Sequence, residues 1–147
     1  MKKVLSLFFL CFSLQLLSDE IITLPNSMDH SALGASSMKP SDGFIYISAQ
    51  APIDPVTGQM IEGDIQTLTD LVIDHLQYQL KQRSCKLKQV IKTEVYLKDI
   101  RDFEGMNAVY GSRFNFQHPP ARDVIEVSNL LNNARIEISC IARKGNS

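Results

Sequence analysis

Two adjacent prolines, Pro119 and Pro120, constrain the path of this chain more tightly than any other pair of residues in it. Each fixes its own φ, lacks an amide hydrogen and biases the residue before it toward extended backbone. The segment that follows, Ala121-Arg122-Asp123-Val124-Ile125-Glu126-Val127, alternates as a strand does. Arg122 therefore leaves a stiff corner on a rigid element. A guanidinium mounted that way is suited to gripping a planar carboxylate through two parallel hydrogen bonds.

The rest of the chain reads as a series of changes in hydrophobic period. Gly43 to Ala49 is rich in β-branched and aromatic residues and predicts a strand. Pro52 to Gly58 is a turn-rich loop, with Gly58 supplying the left-handed position. From Asp64 to about Arg83, Ile65, Leu68, Leu71, Val72, Leu76 and Leu80 recur at spacings of three and four, which places them on one helix face behind an Asp64 N-cap. Val90 to Leu97 alternates again, with Lys92 and Glu94 outward and Ile91, Thr93 and Val95 on the other face. A second amphipathic helix spans about Arg101 to Phe114, burying Phe103, Met106, Val109 or Tyr110, and Phe114. Strands follow at Arg122 to Val127 and Ala134 to Ala142, and a short strand precedes the series around Ile21 to Thr23. The order β, α, β, α, β, β folds most economically as an α+β sheet with two helices on one face. Its other face needs cover, which points to self-association.

The first eighteen residues differ in kind. Met1-Lys2-Lys3, an apolar run from Val4 to Leu17 and a polar exit at Ser18-Asp19-Glu20 have the layout of a secretory signal peptide, without a small-x-small cleavage site. This divides the chain into a signal peptide or N-terminal extension, 1–18, and a domain, 19–147. A cleaved leader places the protein outside the cytoplasm, secreted or periplasmic; an unused one leaves it cytoplasmic. The run is too short and too interrupted for a stable membrane span. A formal net charge of −1 with scattered basic residues and no tryptophan argues against nucleic acid as a partner. His30, His75 and His118 have no ligand spacing with one another or with cysteine, so neither a metal nor another cofactor is expected. Cys85 and Cys140 read as buried small hydrophobes, or as a disulfide if the chain is exported.

Besides Arg122, Glu137 is a candidate. Alternation puts Arg135, Glu137 and Ser139 on one face of the last strand. If the last two strands are neighbours, Glu137 approaches Arg122 and is placed to orient or deprotonate a water. Asn107, between Met106 and Val109, offers a donor and an acceptor, as Ser48 does at the end of the first strand.

An ordered set of motifs carries a resemblance. It comprises Gly43 to Gln50, Pro52 to Gly58, Glu62-Gly63-Asp64-Ile65, Val90 to Asp99, Asp102-Phe103, Met106-Asn107-x-x-Tyr110, Pro120-Ala121-Arg122, Glu126-Val127 and Ile136-Glu137-Ile138-x-x-Ile141-Ala142. From about residue 20 to 143 the chain resembles the reactive intermediate (enamine/imine) deaminases, the Rid or YjgF proteins. The resemblance implies a chorismate-mutase-like α+β fold, a homotrimer with three clefts between subunits, and hydrolysis of 2-imino acids such as 2-iminopropanoate and 2-iminobutanoate to 2-oxo acids and ammonia. It assigns Arg122 to the substrate carboxylate, Glu137 to the hydrolytic water, and Asn107 and Ser48 to the cleft lining.

The chain departs from the family pattern at four places. Gly34-Ala35-Ser36-Ser37 lacks the cleft tyrosine, Ala49 stands for a glycine, Leu68-Thr69 replaces Gln-Thr, and Asp123-Val124 follows the arginine where a small polar residue and a cysteine are usual. Asp123 is expected to compete for Arg122. The alternative function is a trimer of the same fold that binds a small carboxylate without turnover, in a regulatory or protective role. A chorismate mutase on the related fold would need several cationic groups where only Arg122 is placed.

Overall fold

The structure, a computed structural model, describes residues 38–114 and 117–145. The leader 1–18, the strand expected around Ile21 to Thr23 and the segment Gly34 to Ser37 lie outside the described residues. Strand β1 (Met38–Ser41) and strand β2 (Phe44–Gln50) form a hairpin whose two-residue turn is Asp42-Gly43, both at positive φ (47° and 81°). A turn with both central residues left-handed matches the twist of the strands it joins, and the Asp-Gly pair is suited to it. Strand β1 was not expected from the sequence, although this dipeptide marked the turn.

Helix α1 (Ile65–Lys81) starts where its cap dictates: the Asp64 carboxylate accepts from the Thr67 amide at 2.8 Å. Ile65, Leu68, Val72, Leu76 and Leu80 are buried as their spacing requires, whereas Leu71 is half-buried and Ile73 takes its place in the core. Helix α2 (Phe103–Arg113) follows a 3-10 turn at Ile100–Asp102 and buries Met106 and Tyr110, with Phe114 just beyond it. Gly105 lets the two helices approach; a Cβ there would lie 2.5 Å from Ile65 Cγ2, the stiff branch of a β-branched side chain.

Strands β3 (Val90–Leu97), β4 (Ala121–Glu126) and β5 (Ile136–Arg143) complete one five-stranded sheet in the order β1-β2-β5-β3-β4. Strand β5 is antiparallel to both β2 and β3, and β4 lies parallel to β3 at the edge, reached through α2. The α+β architecture with two helices on one face is as expected. Two local expectations are corrected. The last two strands are not neighbours, because β3 is inserted between them. Ile91 is not on the core face: the β3–β5 register shifts between Val90 and Lys92, and the bulge leaves Ile91 44% exposed while Val90 and Thr93 are buried. Cys85 and Cys140 are both buried free thiols, as the apolar reading of them requires.

Candidate active site

The register fixes which side of the sheet each candidate serves. Thr93 pairs with Arg122 across β3 and β4, and with Cys140 across β3 and β5. Residues at one register position share a face, so Arg122 projects on the helix-covered side with the buried Thr93. There its guanidinium carbon lies 4.5 Å from the centre of the Tyr110 ring, a cation–π arrangement. Tyr110 is itself fixed: its hydroxyl is 2.6 Å from Thr93 Oγ1, and its ring stacks on Phe114 with centroids 4.4 Å apart. Burial pushes the Tyr110 phenol up, while the Thr93 hydrogen bond and the Arg122 charge pull it down. Asn107 is half-buried, one helical turn before Tyr110, and so belongs to the same part of α2.

Glu137 occupies the opposite face. It pairs with Tyr96 in β3, on the side that carries Lys92, Glu94, Asp123 and Ser139. These form a connected polar network. Tyr96 Oη donates to Glu94 Oε2 at 2.9 Å and Ser139 Oγ does so at 3.3 Å. Lys92 Nζ bridges Glu94 and Asp123 at 3.2 and 3.0 Å. The network holds the Glu94 carboxyl below its ordinary value, the Tyr96 hydroxyl first and Lys92 next. It also settles the relation of Asp123 to Arg122. The two are consecutive in an edge strand and point to opposite faces, and the partner of Asp123 is Lys92. The expected competition for Arg122 is thereby corrected; among the described residues Arg122 has no carboxylate partner.

Glu137 itself stands outside the network. Its Oε1 is buried without a hydrogen-bond partner among the described residues, and burial pushes its carboxyl above the ordinary carboxylate value. A raised value means that the folded protein binds this proton more tightly than the unfolded chain does. The ionised group therefore costs stability once the pH passes the ordinary value, and the cost stops growing above the folded-state value. Glu137→Gln is expected to melt about 1–3 °C above the wild type at neutral pH, the effect kept small by half exposure, with the difference vanishing toward pH 4. Thermal unfolding from pH 4 to 8 reads this; a pH-independent difference would contradict it. Ser48 is half-buried at the irregularity of β2 between Ile47 and Gln50, and its carbonyl accepts from Gln50 Nε2 at 2.9 Å.

The single chain thus brings together Arg122, Tyr110 and the neighbourhood of Asn107, and sets Glu137 on the other side of the sheet. This fold and order of residues have known counterparts. Residues 32–144 match the family described as Endoribonuclease L-PSP. The chain belongs to this family, the Rid (YjgF) proteins. A RutC family protein of Pyrococcus abyssi is 43% identical over 101 residues, 69% of this chain and 79% of that one. The human 2-iminobutanoate/2-iminopropanoate deaminase is 36% identical over 104 residues, 71% of this chain and 75% of that one. A solved Rid-family protein of Yersinia pestis has a TM-score of 0.72 at 32% identity, covering 74% of this chain and 86% of the other.

Within this Rid protein, sequence reasoning named Arg122 but missed what it rests on. Tyr110 entered as one of two choices for a buried helix position and as the end of the Met106-Asn107-x-x-Tyr110 motif, with no role given to it. Its hydroxyl gave the signal that was overlooked, since a buried phenol needs a partner and Thr93 was already predicted to face the core. Lys92 and Glu94 were read as outward, which is correct, but their ties to Tyr96, Ser139 and Asp123 depend on strand order. Among the described residues no helix is long and apolar enough to cross a membrane.

Proposed function

We propose that this Rid protein hydrolyses 2-imino acids, such as 2-iminopropanoate and 2-iminobutanoate, to 2-oxo acids and ammonia. The observation that carries the reading is the Arg122 guanidinium, its carbon 4.5 Å over the centre of the Tyr110 ring and without a carboxylate partner among the described residues. A guanidinium held over a ring keeps its N–H fork free of an ion pair and available to a bidentate carboxylate. The identity with the human deaminase supports the choice of reaction. Water adds to the imine carbon to give a carbinolamine, whose C–N bond then breaks, releasing ammonia and leaving the carbonyl. An imine needs little activation to accept water, so holding the carboxylate and aiming one water supply much of the rate. Glu137 takes the second role. Burial raises its proton affinity, the direction that suits a carboxylate to accepting a proton from water. Asn107 and Ser48 provide polar contacts to the substrate.

Arg122 and Glu137 serve opposite faces of one sheet, so the proposal includes a homotrimer whose three clefts are completed between copies. Packing the open face of one sheet against the neighbouring protomer also covers Tyr46 and Ile125, which are 45% and 44% exposed in the single chain. The test is a coupled assay in which an amino acid oxidase generates the imine and semicarbazide traps it. Added protein is expected to suppress semicarbazone formation in proportion to its concentration. Suppression absent while 2-oxobutanoate still binds would select the non-catalytic carboxylate-binding trimer instead. Export through residues 1–18 is the remaining part of the proposal. Mass spectrometry of the native N-terminus is expected to find the chain shortened by about that leader; an intact Met1 would show that the leader is not cleaved.

A further inference from the structure

We propose that Tyr110 is the positioning residue of the carboxylate clamp, its ring holding the Arg122 guanidinium in one plane before any ligand arrives. The inference rests on the reading of Arg122 as a carboxylate clamp. Arginine has several rotatable bonds, and an arginine on an edge strand with no ion pair would spread over many rotamers, each of which a ligand would have to select against. Here the guanidinium carbon stands 4.5 Å from the ring centre. The ring cannot turn away, because three features of the fold fix it. Tyr110 is buried within α2, its hydroxyl is 2.6 Å from Thr93 Oγ1, and its face stacks on Phe114 at 4.4 Å with 20° between planes. Thr93 is the register partner of Arg122 itself, so the strand pair that places the cation also anchors the platform under it. The nearby acids are engaged elsewhere: Asp123 with Lys92 on the other face, and Glu126 with the Ile100 amide at 3.3 Å. Among the described residues no acid then draws the cation off the ring.

The platform and the clamp are separable by experiment. Wild type, Tyr110→Phe, Tyr110→Leu and Arg122→Ala are titrated with 2-oxobutanoate as a probe carboxylate, with thermal unfolding recorded for each. Tyr110→Phe keeps the ring and is expected to bind within about twofold of wild type, although it melts lower for the loss of the Thr93 bond. Tyr110→Leu loses the ring and is expected to bind about five- to thirty-fold more weakly. Binding that tracked melting temperature rather than the presence of the ring would overturn the platform. Tyr110→Leu binding like wild type while Arg122→Ala does not bind would remove the platform and leave the clamp; unchanged binding by Arg122→Ala would remove both. Because Tyr110→Leu removes a buried side chain, a measurement on the unaltered protein stands beside it. The Arg122 Nε–H resonance, identified by its loss in Arg122→Ala, is expected to be shifted upfield by the ring current; an unshifted resonance overturns the proposal.

Discussion

Arg122→Ala is expected to lower kcat/KM for 2-iminobutanoate by about 100- to 1,000-fold, or about 3–4 kcal/mol of transition-state stabilisation. The substitution removes two charge-assisted hydrogen bonds to the substrate carboxylate and the orientation they impose on the imine carbon. Arg122→Lys is expected to recover only part of the loss, since an ammonium supplies the charge without the planar fork. Stability should change little. Arg122 is half-buried on the edge strand β4, and its contact with Tyr110 at such a site is worth about 0.5–1 kcal/mol. The pair of measurements is a steady-state assay on freshly generated imine and a thermal melt. Undiminished turnover in a folded Arg122→Ala protein would end the assignment of Arg122 as the clamp.

Ile138→Ala is expected to have the largest effect on the fold. Strand β5 is the central strand, hydrogen-bonded to β2 on one side and β3 on the other. Ile138 is fully buried among the residues that α1 covers, so truncation loses the transfer energy of the side chain and leaves a cavity that two flanking strands prevent from closing. Such deletions cost about 2–5 kcal/mol, a large part of the roughly 5–15 kcal/mol that holds a domain folded. The melting temperature should fall by about 10–20 °C. Val56→Ala is the control. Val56 is 79% exposed in the loop after β2, and its truncation should shift stability by no more than about 0.5 kcal/mol. Comparable losses in the two variants, read by urea or thermal unfolding, would show that β5 is not the centre of the core.

Much of this architecture was legible because it is local. The spacing of Leu68, Val72, Leu76 and Leu80 requires a helix with one buried face, and Asp64 stands where a carboxylate caps it. Gly58, at φ 71°, closes the loop whose Asp54 carboxylate accepts from the Val56 and Thr57 amides at 2.7 and 2.9 Å, the kind of turn its residues favour. Other features were hidden for reasons that are physical as well. Thr69 is fully buried although polar, because its hydroxyl donates to the Ile65 carbonyl at 2.6 Å within the same helix. Ile91 is exposed although apolar, because a bulge changes the count of residues on one strand against its partner, and no pattern within β3 records that. The ordered motifs identified the family and pointed to Arg122 and Glu137, but they carried no information on how far apart a single chain would place the two.

The sequence by itself determined strands β2 to β5 and both helices, where α1 begins, and that Arg122 emerges from a stiff corner onto a strand. Alternation along β4 implies that Asp123 and Arg122 face opposite ways, a consequence that the expected competition between them passed over. Only the tertiary structure decided what each of those faces is. Inserting β3 between β4 and β5 set Arg122 beside Thr93 and over Tyr110, gave Asp123 to Lys92, and left Glu137 on the open side. The reason lies in the period of a strand. A repeat of two fixes the parity of side chains along one strand, but the parity between strands is set by register, and register is a property of pairs distant in sequence.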